Sequence, residues 1–88
     1  MLKISMTQGV SRVTVLRLEG RVIGDWVAEL TRACDEAIDA GAGLTLDVSD
    51  VSFIDRNGVA LLRTLMHRRV AVVNCSPFVA EQLRGEQP

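Results

Sequence analysis

Few residues in this chain are of types that do covalent or redox chemistry, and their spacing argues against it. The one histidine, His67, stands in Met66-His67-Arg68-Arg69, with no serine or cysteine nucleophile placed to use it as a base. It reads as a surface residue. Cys34 and Cys75 each lie in an apolar stretch and form no CxxC pair, so both are expected to be reduced, buried small hydrophobes. Asp47, Ser49, Asp50 and Asp55 offer oxygen atoms to a cation, but the glycine and distal glutamate of a calcium loop are absent. The glycines are isolated turn residues and build no phosphate loop. No catalytic residue, metal or cofactor is expected.

What remains is Ile54-Asp55-Arg56-Asn57-Gly58, whose chemistry is recognition. Asn57 is expected to cap a helix, its side-chain oxygen accepting from an amide two or three residues on. Gly58 allows close backbone approach, and free N–H groups there would favour an anion. In the helix that follows, Arg56, Ala60, Arg63 and His67 recur at i, i+4, i+7 and i+11. They form an exposed basic stripe opposite a buried one of Val59, Leu62 and Met66, widened by Leu61 and Leu65. Such a stripe is either a solvated helix face or a surface for an acidic partner groove.

The elements that position this turn follow from periodicity. Leu2–Thr7 alternates apolar and polar residues as a half-buried strand does, and Gln8-Gly9 supplies a turn. Val13–Glu19 alternates again, with Thr14, Leu16 and Leu18 on one face. Gly20 and Gly24 bracket a loop, and Asp25 is expected to cap a helix whose inner face carries Trp26, Leu30, Ala33, Cys34, Ala37 and Ile38. Its outer face, with Glu29, Arg32, Asp35, Glu36 and Asp39, is a solvated charge run. Leu44–Val48 is a third strand, parallel to the second because a helix connects them. Ser49–Asp55 reads as a connection into a helix from Asn57 to His67. Val70–Val73 is a fourth strand, and Ser76 caps a third helix with Pro77 at its first position. In such a sheet, partners meet the carboxyl ends of the strands, here Gly20–Asp25, Ser49–Asn57 and Asn74–Ser76.

With 88 residues, the chain has room for one core: residues 1–85 are expected to form a single domain, with 86–88 a short tail. It is 48% hydrophobic but only 3% aromatic, so that core must be aliphatic. A net charge of −1 gives no electrostatic footprint for nucleic acid or for an anionic membrane. No apolar run approaches the roughly 20 residues that span a bilayer, and the start reads as a strand in place of a signal peptide, so a cytoplasmic location is expected. The exposed edge of the first strand leaves room for a weak homodimer.

From Leu46 to Leu62 the chain reads Leu-Asp-Val-Ser-Asp-Val-Ser-Phe-Ile-Asp-Arg-Asn-Gly-Val-Ala-Leu-Leu. This resembles the core motif of the STAS family, the anti-sigma factor antagonists and their relatives. That motif is a strand, Asp, aliphatic, Ser, a few variable residues, an aromatic or aliphatic residue, then Asp-Ser-Ser-Gly and a Leu-rich helix. The match is dense over about a fifth of the chain, and the flanking elements agree in order through Ser76-Pro77. The resemblance implies an α/β fold: a STAS-like mixed four-stranded sheet, β-β-α-β-α-β-α, with helices packed against it. It also implies a bacterial, non-catalytic regulator of transcription that works by partner switching. Members dock on a protein, typically a kinase that also sequesters a sigma factor, and phosphorylation of the second serine releases it.

Asp55 and Gly58 match that motif, whereas Arg56 stands at the first serine and Asn57 at the phosphoacceptor. Asn57 cannot be phosphorylated. A phosphoserine there would add about two negative charges, and asparagine stands for the uncharged, binding-competent state. Where relatives often carry an acidic residue before the first helix, this chain has Ile23, with Asp25 two residues later. Many relatives also continue past the third helix with a further strand and helix. The implied site is Asp55, Arg56, Asn57, Gly58, Ala60, Arg63 and His67, engaging an anti-sigma factor or serine-kinase-like partner. A second implied role is an accessory subunit bound through the same helix to the ATPase of a phospholipid-type ABC transporter. A third, weaker one is nucleotide binding near the Asp55–Gly58 turn.

Overall fold

The computed structural model describes residues 2–8, 12–41 and 43–84. Alternation makes Leu2–Gln8 (β1) and Val13–Val22 (β2) an antiparallel pair, with Leu2 opposite Gly20 and Gln8 opposite Thr14. A helix, Asp25–Asp39 (α1), leads to Gly43–Ile54 (β3), parallel to β2. A second, Arg56–His67 (α2), leads to Ala71–Val73 (β4), parallel to β3, and Pro77–Arg84 (α3) completes the order. The sheet runs β1-β2-β3-β4, a mixed four-stranded sheet as expected. Gly9 of the expected turn and the tail at 86–88 lie outside the described residues.

The helices pack side by side, α1 on α2 and α2 on α3, and their inner faces meet the strand face that carries Leu16, Leu18, Leu44 and Leu46. The buried cluster is aliphatic apart from Cys34. Both cysteines are free thiols; Cys34 is fully enclosed, and burial pushes it up to about 11, whereas Cys75, expected to be buried, is only partly covered where it packs against the edge of the cluster. Ser76 caps α3 as expected, its hydroxyl accepting from the Val79 amide at 3.1 Å.

Four expectations need correction. β3 does not end at Val48 but continues through the supposed connection to Ile54, and β2 likewise runs on through Gly20 to Val22. Two register shifts against β2, between Arg17 and Glu19 and between Gly20 and Arg21, each insert an extra β3 residue. The bulges break the two-residue period, so Val48, Val51 and Ile54 are buried at a spacing of three that does not read as a strand. Asp25 does not cap α1: Gly24 holds that position at φ 56° with no side-chain cap. Trp26 sits in the first turn of α1 and is 36% exposed, while Val27 packs on the core in its place; the rest of the expected inner stripe, Leu30, Ala33, Cys34, Ala37 and Ile38, is in or against the core. Met66 is 48% exposed and Leu65 is buried in its place. Leu65 follows Gly58, Val59 and Leu62 on the inner face at helical spacing, and α2 closes just beyond it in a tight turn, the Val70 amide donating to the Leu65 carbonyl at 3.0 Å.

Candidate partner-binding site

The turn between β3 and α2 is built around the Asp55 carboxylate. Asp55, with extended backbone at φ −83° and ψ −179°, is the N-cap of α2. One of its oxygens accepts from the Gly58 amide at 2.8 Å and the other from the Gly24 amide at 2.9 Å. Its own N–H donates to the Val22 carbonyl at 3.0 Å. One side chain thus ties the corner before α1 to the start of α2. The Gly24 amide first, then the Gly58 amide, hold this carboxyl below its ordinary 3.8.

This overturns the reading of Asn57 as the cap. Asn57 is the second residue of α2 and its side chain is exposed. Nor is the Gly58 amide open to an anion, since Asp55 already occupies it. The close approach expected of Gly58 is present. A Cβ there would lie 2.6 Å from Ile54 Cγ2 and 2.8 Å from the Val22 carbonyl oxygen, so only glycine lets α2 start against the ends of β2 and β3.

The seven site residues therefore divide. Asp55 and Gly58 face inward and set geometry; Arg56, Asn57, Ala60 and His67 are exposed, and Arg63 is half-buried. From Arg56 to His67 the stripe extends about 16 Å along the helix. α2 contains no acidic residue, and just beyond it Arg68 reaches Asp35 on α1 at 3.5 Å. The carboxylates among the four oxygen donors noted in the sequence each have a separate protein partner. Asp47 accepts from the Ser49 amide at 3.0 Å, Asp50 pairs with Arg17, and Asp55 is the cap.

Beside the turn lies a groove of about 470 Å³ that the sequence reading did not reach. Ile54 and Val59 line it together with Phe53, Phe78, Arg56 and Gln82. The Phe53 and Phe78 rings stack with centroids 6.3 Å apart and planes at 29°. Gln82 of α3 acts as a surrogate strand. Its amide nitrogen donates to the Ile54 carbonyl at 2.6 Å, and its oxygen accepts from the Ile54 amide at 3.2 Å. β4 pairs only with Thr45–Asp47, and Gln82 serves the β3 edge beyond it. The available signal was Gln82 about one and a half turns after the Ser76-Pro77 start, but nothing in sequence ties it to Ile54.

Solved structures that share this architecture include the following three. The unphosphorylated anti-sigma factor antagonist SpoIIAA aligns with a TM-score of 0.75 at 22% identity, over 96% of this chain and 84% of that one. A STAS-domain antisigma-factor antagonist from Rhodobacter sphaeroides aligns at 0.61 with 24% identity, over 83% and 86%. A DUF3478-family protein with a SpoIIAA-like fold, from Shewanella loihica, aligns at 0.59 with 13% identity, over 92% and 77%. No curated protein matches the chain in sequence. Residues 5–85 match the family described as Mlab, STAS domain. With nearly the whole chain matched and the SpoIIAA-like sheet and helices in place, the chain belongs to the STAS-domain family.

Proposed function

We propose that this chain is a non-catalytic, protein-binding regulatory module of the anti-sigma factor antagonist kind, acting in the cytoplasm without the serine switch. The partner is an anti-sigma or serine-kinase-like protein, bound through Arg56, Asn57, Ala60, Arg63 and His67 on α2. One observation carries the reading: Asp55 and Gly58 lock the turn from inside, and this leaves Asn57 exposed at the position of the motif's second serine. STAS domains are typically non-catalytic regulatory modules. The absence of any carboxylate on α2 supports an acidic contact surface on the partner.

The test is affinity capture from the native cell with tagged protein, followed by identification of what is retained. A histidine-kinase-like ATPase is expected, retained by the unaltered chain and lost with Asn57→Asp, which places a negative charge where phosphoserine would stand. Recovery of a transporter ATPase with its permease would instead assign the same surface to an accessory subunit. Incubating the protein with the captured kinase and ATP should leave it unlabelled; label on a Ser or Thr near residue 57 would remove the constitutive part of the proposal. Amide spectra that shift on addition of ATP or GTP would favour the nucleotide-binding role.

A further inference from the structure

All three aromatic residues of this chain lie at its surface. Trp26 is 36% exposed, Phe53 40% and Phe78 54%, and the buried cluster contains none of them. Each stands at the carboxyl end of a parallel strand: Trp26 after β2, Phe53 at the end of β3, Phe78 after β4. Aromatic side chains are the residues most often found at the energetic centre of protein interfaces. In a domain this small, leaving two stacked rings half uncovered forgoes core stabilisation that a ring turned inward would supply.

The polar groups around the groove are already engaged. Gln82 is bonded to the Ile54 backbone, Glu81 to Arg84 at 2.6 Å, and Asp55 to the Gly24 and Gly58 amides. Among the described residues, Arg56 alone of the lining charges Asp55, Arg56 and Glu81 has neither a hydrogen-bond nor an ion-pair partner. The groove is thus an apolar trough with one unmatched cation at its rim, continuous with a helix that carries basic residues and no acidic ones.

We propose that this groove receives an apolar side chain of a partner protein segment that bears a carboxylate one or two residues away. The apolar side chain packs against the Phe53–Phe78 pair, and the carboxylate seats on Arg56. Charge complementarity selects this occupant, because a basic segment would meet Arg56 with like charge. The proposal rests on the protein-binding reading above and deepens it by naming what the partner presents.

The experiment titrates isotopically labelled protein with three synthetic peptides. One is acetyl-Gly-Asp-Leu-Phe-Glu-Gly-amide; the second has Lys for Asp and Glu; the third has Gly for Leu and Phe. The first alone is expected to shift the Phe53 and Phe78 ring resonances and the Ile54 amide saturably. Phe78→Ser should weaken it by about tenfold or more. Arg56→Glu should transfer the preference to the Lys peptide. Both residues are exposed, and unchanged resonances away from the groove verify that the variants fold. Equal response to all three peptides, no response in the groove, or an acidic-peptide affinity indifferent to Arg56→Glu would overturn the proposal. Shifts confined to Ala60, Arg63 and His67 would overturn the groove and leave the α2 reading intact. Groove shifts that survive Arg63→Glu support the groove even where that reading fails.

Discussion

Replacing Gly58 by alanine adds one methyl group at the most crowded point of the turn. The new Cβ would sit 2.6 Å from Ile54 Cγ2 and 2.8 Å from the Val22 carbonyl oxygen. The first neighbour is a buried β-branched side chain with little rotamer freedom, and the second is backbone. That same carbonyl accepts the Asp55 amide at 3.0 Å, so it cannot move away without lengthening a bond that fixes the turn. Overpacking of this kind costs about 1–3 kcal/mol. A weakened buried hydrogen bond adds up to about 1 kcal/mol. Against this, alanine gains about 0.5–1 kcal/mol over glycine inside a helix. The net expectation is a loss of about 2 kcal/mol, which in a domain of this size lowers the melting temperature by roughly 10 °C. Urea unfolding of Gly58→Ala, followed by circular dichroism, measures it, with hydrogen exchange at the Gly24 amide reporting on the strap. A variant as stable as the parent, or more so, would show that the helix start has slack and that Gly58 is not required by packing.

Three further outcomes follow from the same geometry. Asp55 and Asp47 are held below their ordinary 3.8 in the folded chain, Asp55 mainly by the Gly24 and Gly58 amides and Asp47 mainly by Ser49. Their contribution is therefore fully present above that value and is lost as pH falls through the lower folded-state values; Asp55→Asn should flatten this acid limb in unfolding experiments between about pH 2 and 5. Arg69 occupies the left-handed region at φ 69° in the turn after α2, where glycine is unstrained, so Arg69→Gly should raise stability by about 0.5–1 kcal/mol in chemical denaturation. Gln82→Leu removes both bonds to Ile54 and should cost about 1–2 kcal/mol, with faster exchange of the Ile54 amide; unchanged exchange would mean that solvent already serves that edge.

How far the sequence led depended on whether a residue's role is local. The alternation of Thr14, Leu16 and Leu18, the Ser76 cap with Pro77 behind it, and the helix between two parallel strands all depend on neighbours within a few residues, and all are present. The end of β3 was not legible because its bulges are defined against β2, a partner more than thirty residues away. The inward stripes of both α1 and α2 were misplaced by one residue at an end, at Trp26 and Met66, where the helix meets the edge of the layer and periodicity no longer decides burial. At the site, the sequence located the turn and the exposed positions Arg56, Ala60 and His67 of α2, while Arg63, expected on the same stripe, is half-buried. It could not show that Asp55 reaches back to Gly24, or that Gln82 reaches Ile54, since both bonds span about thirty residues.

Those long-range bonds change what the motif means. An Asp-x-x-Gly turn at the start of a helix looks like a polar surface feature, with a carboxylate and open amides available to a ligand. Here the carboxylate and the amides satisfy one another, and the glycine is a packing element with no room for a side chain. The two motif positions shared with the family hold shape, while the two at which it departs, Arg56 and Asn57, are exposed and belong to the surface proposed for a partner. Substitutions should therefore separate into classes that a single measurement would confuse. Changes at Asp55 and Gly58 act on folding, and any loss of binding follows from that. Changes at the exposed Arg56 and Asn57 should leave the fold in place and, on the proposed binding surface, alter recognition. The Asp55 bonds also mean that the corner before α1 and the start of α2 are held as one unit, so a change at Gly24 or Gly58 should disturb both.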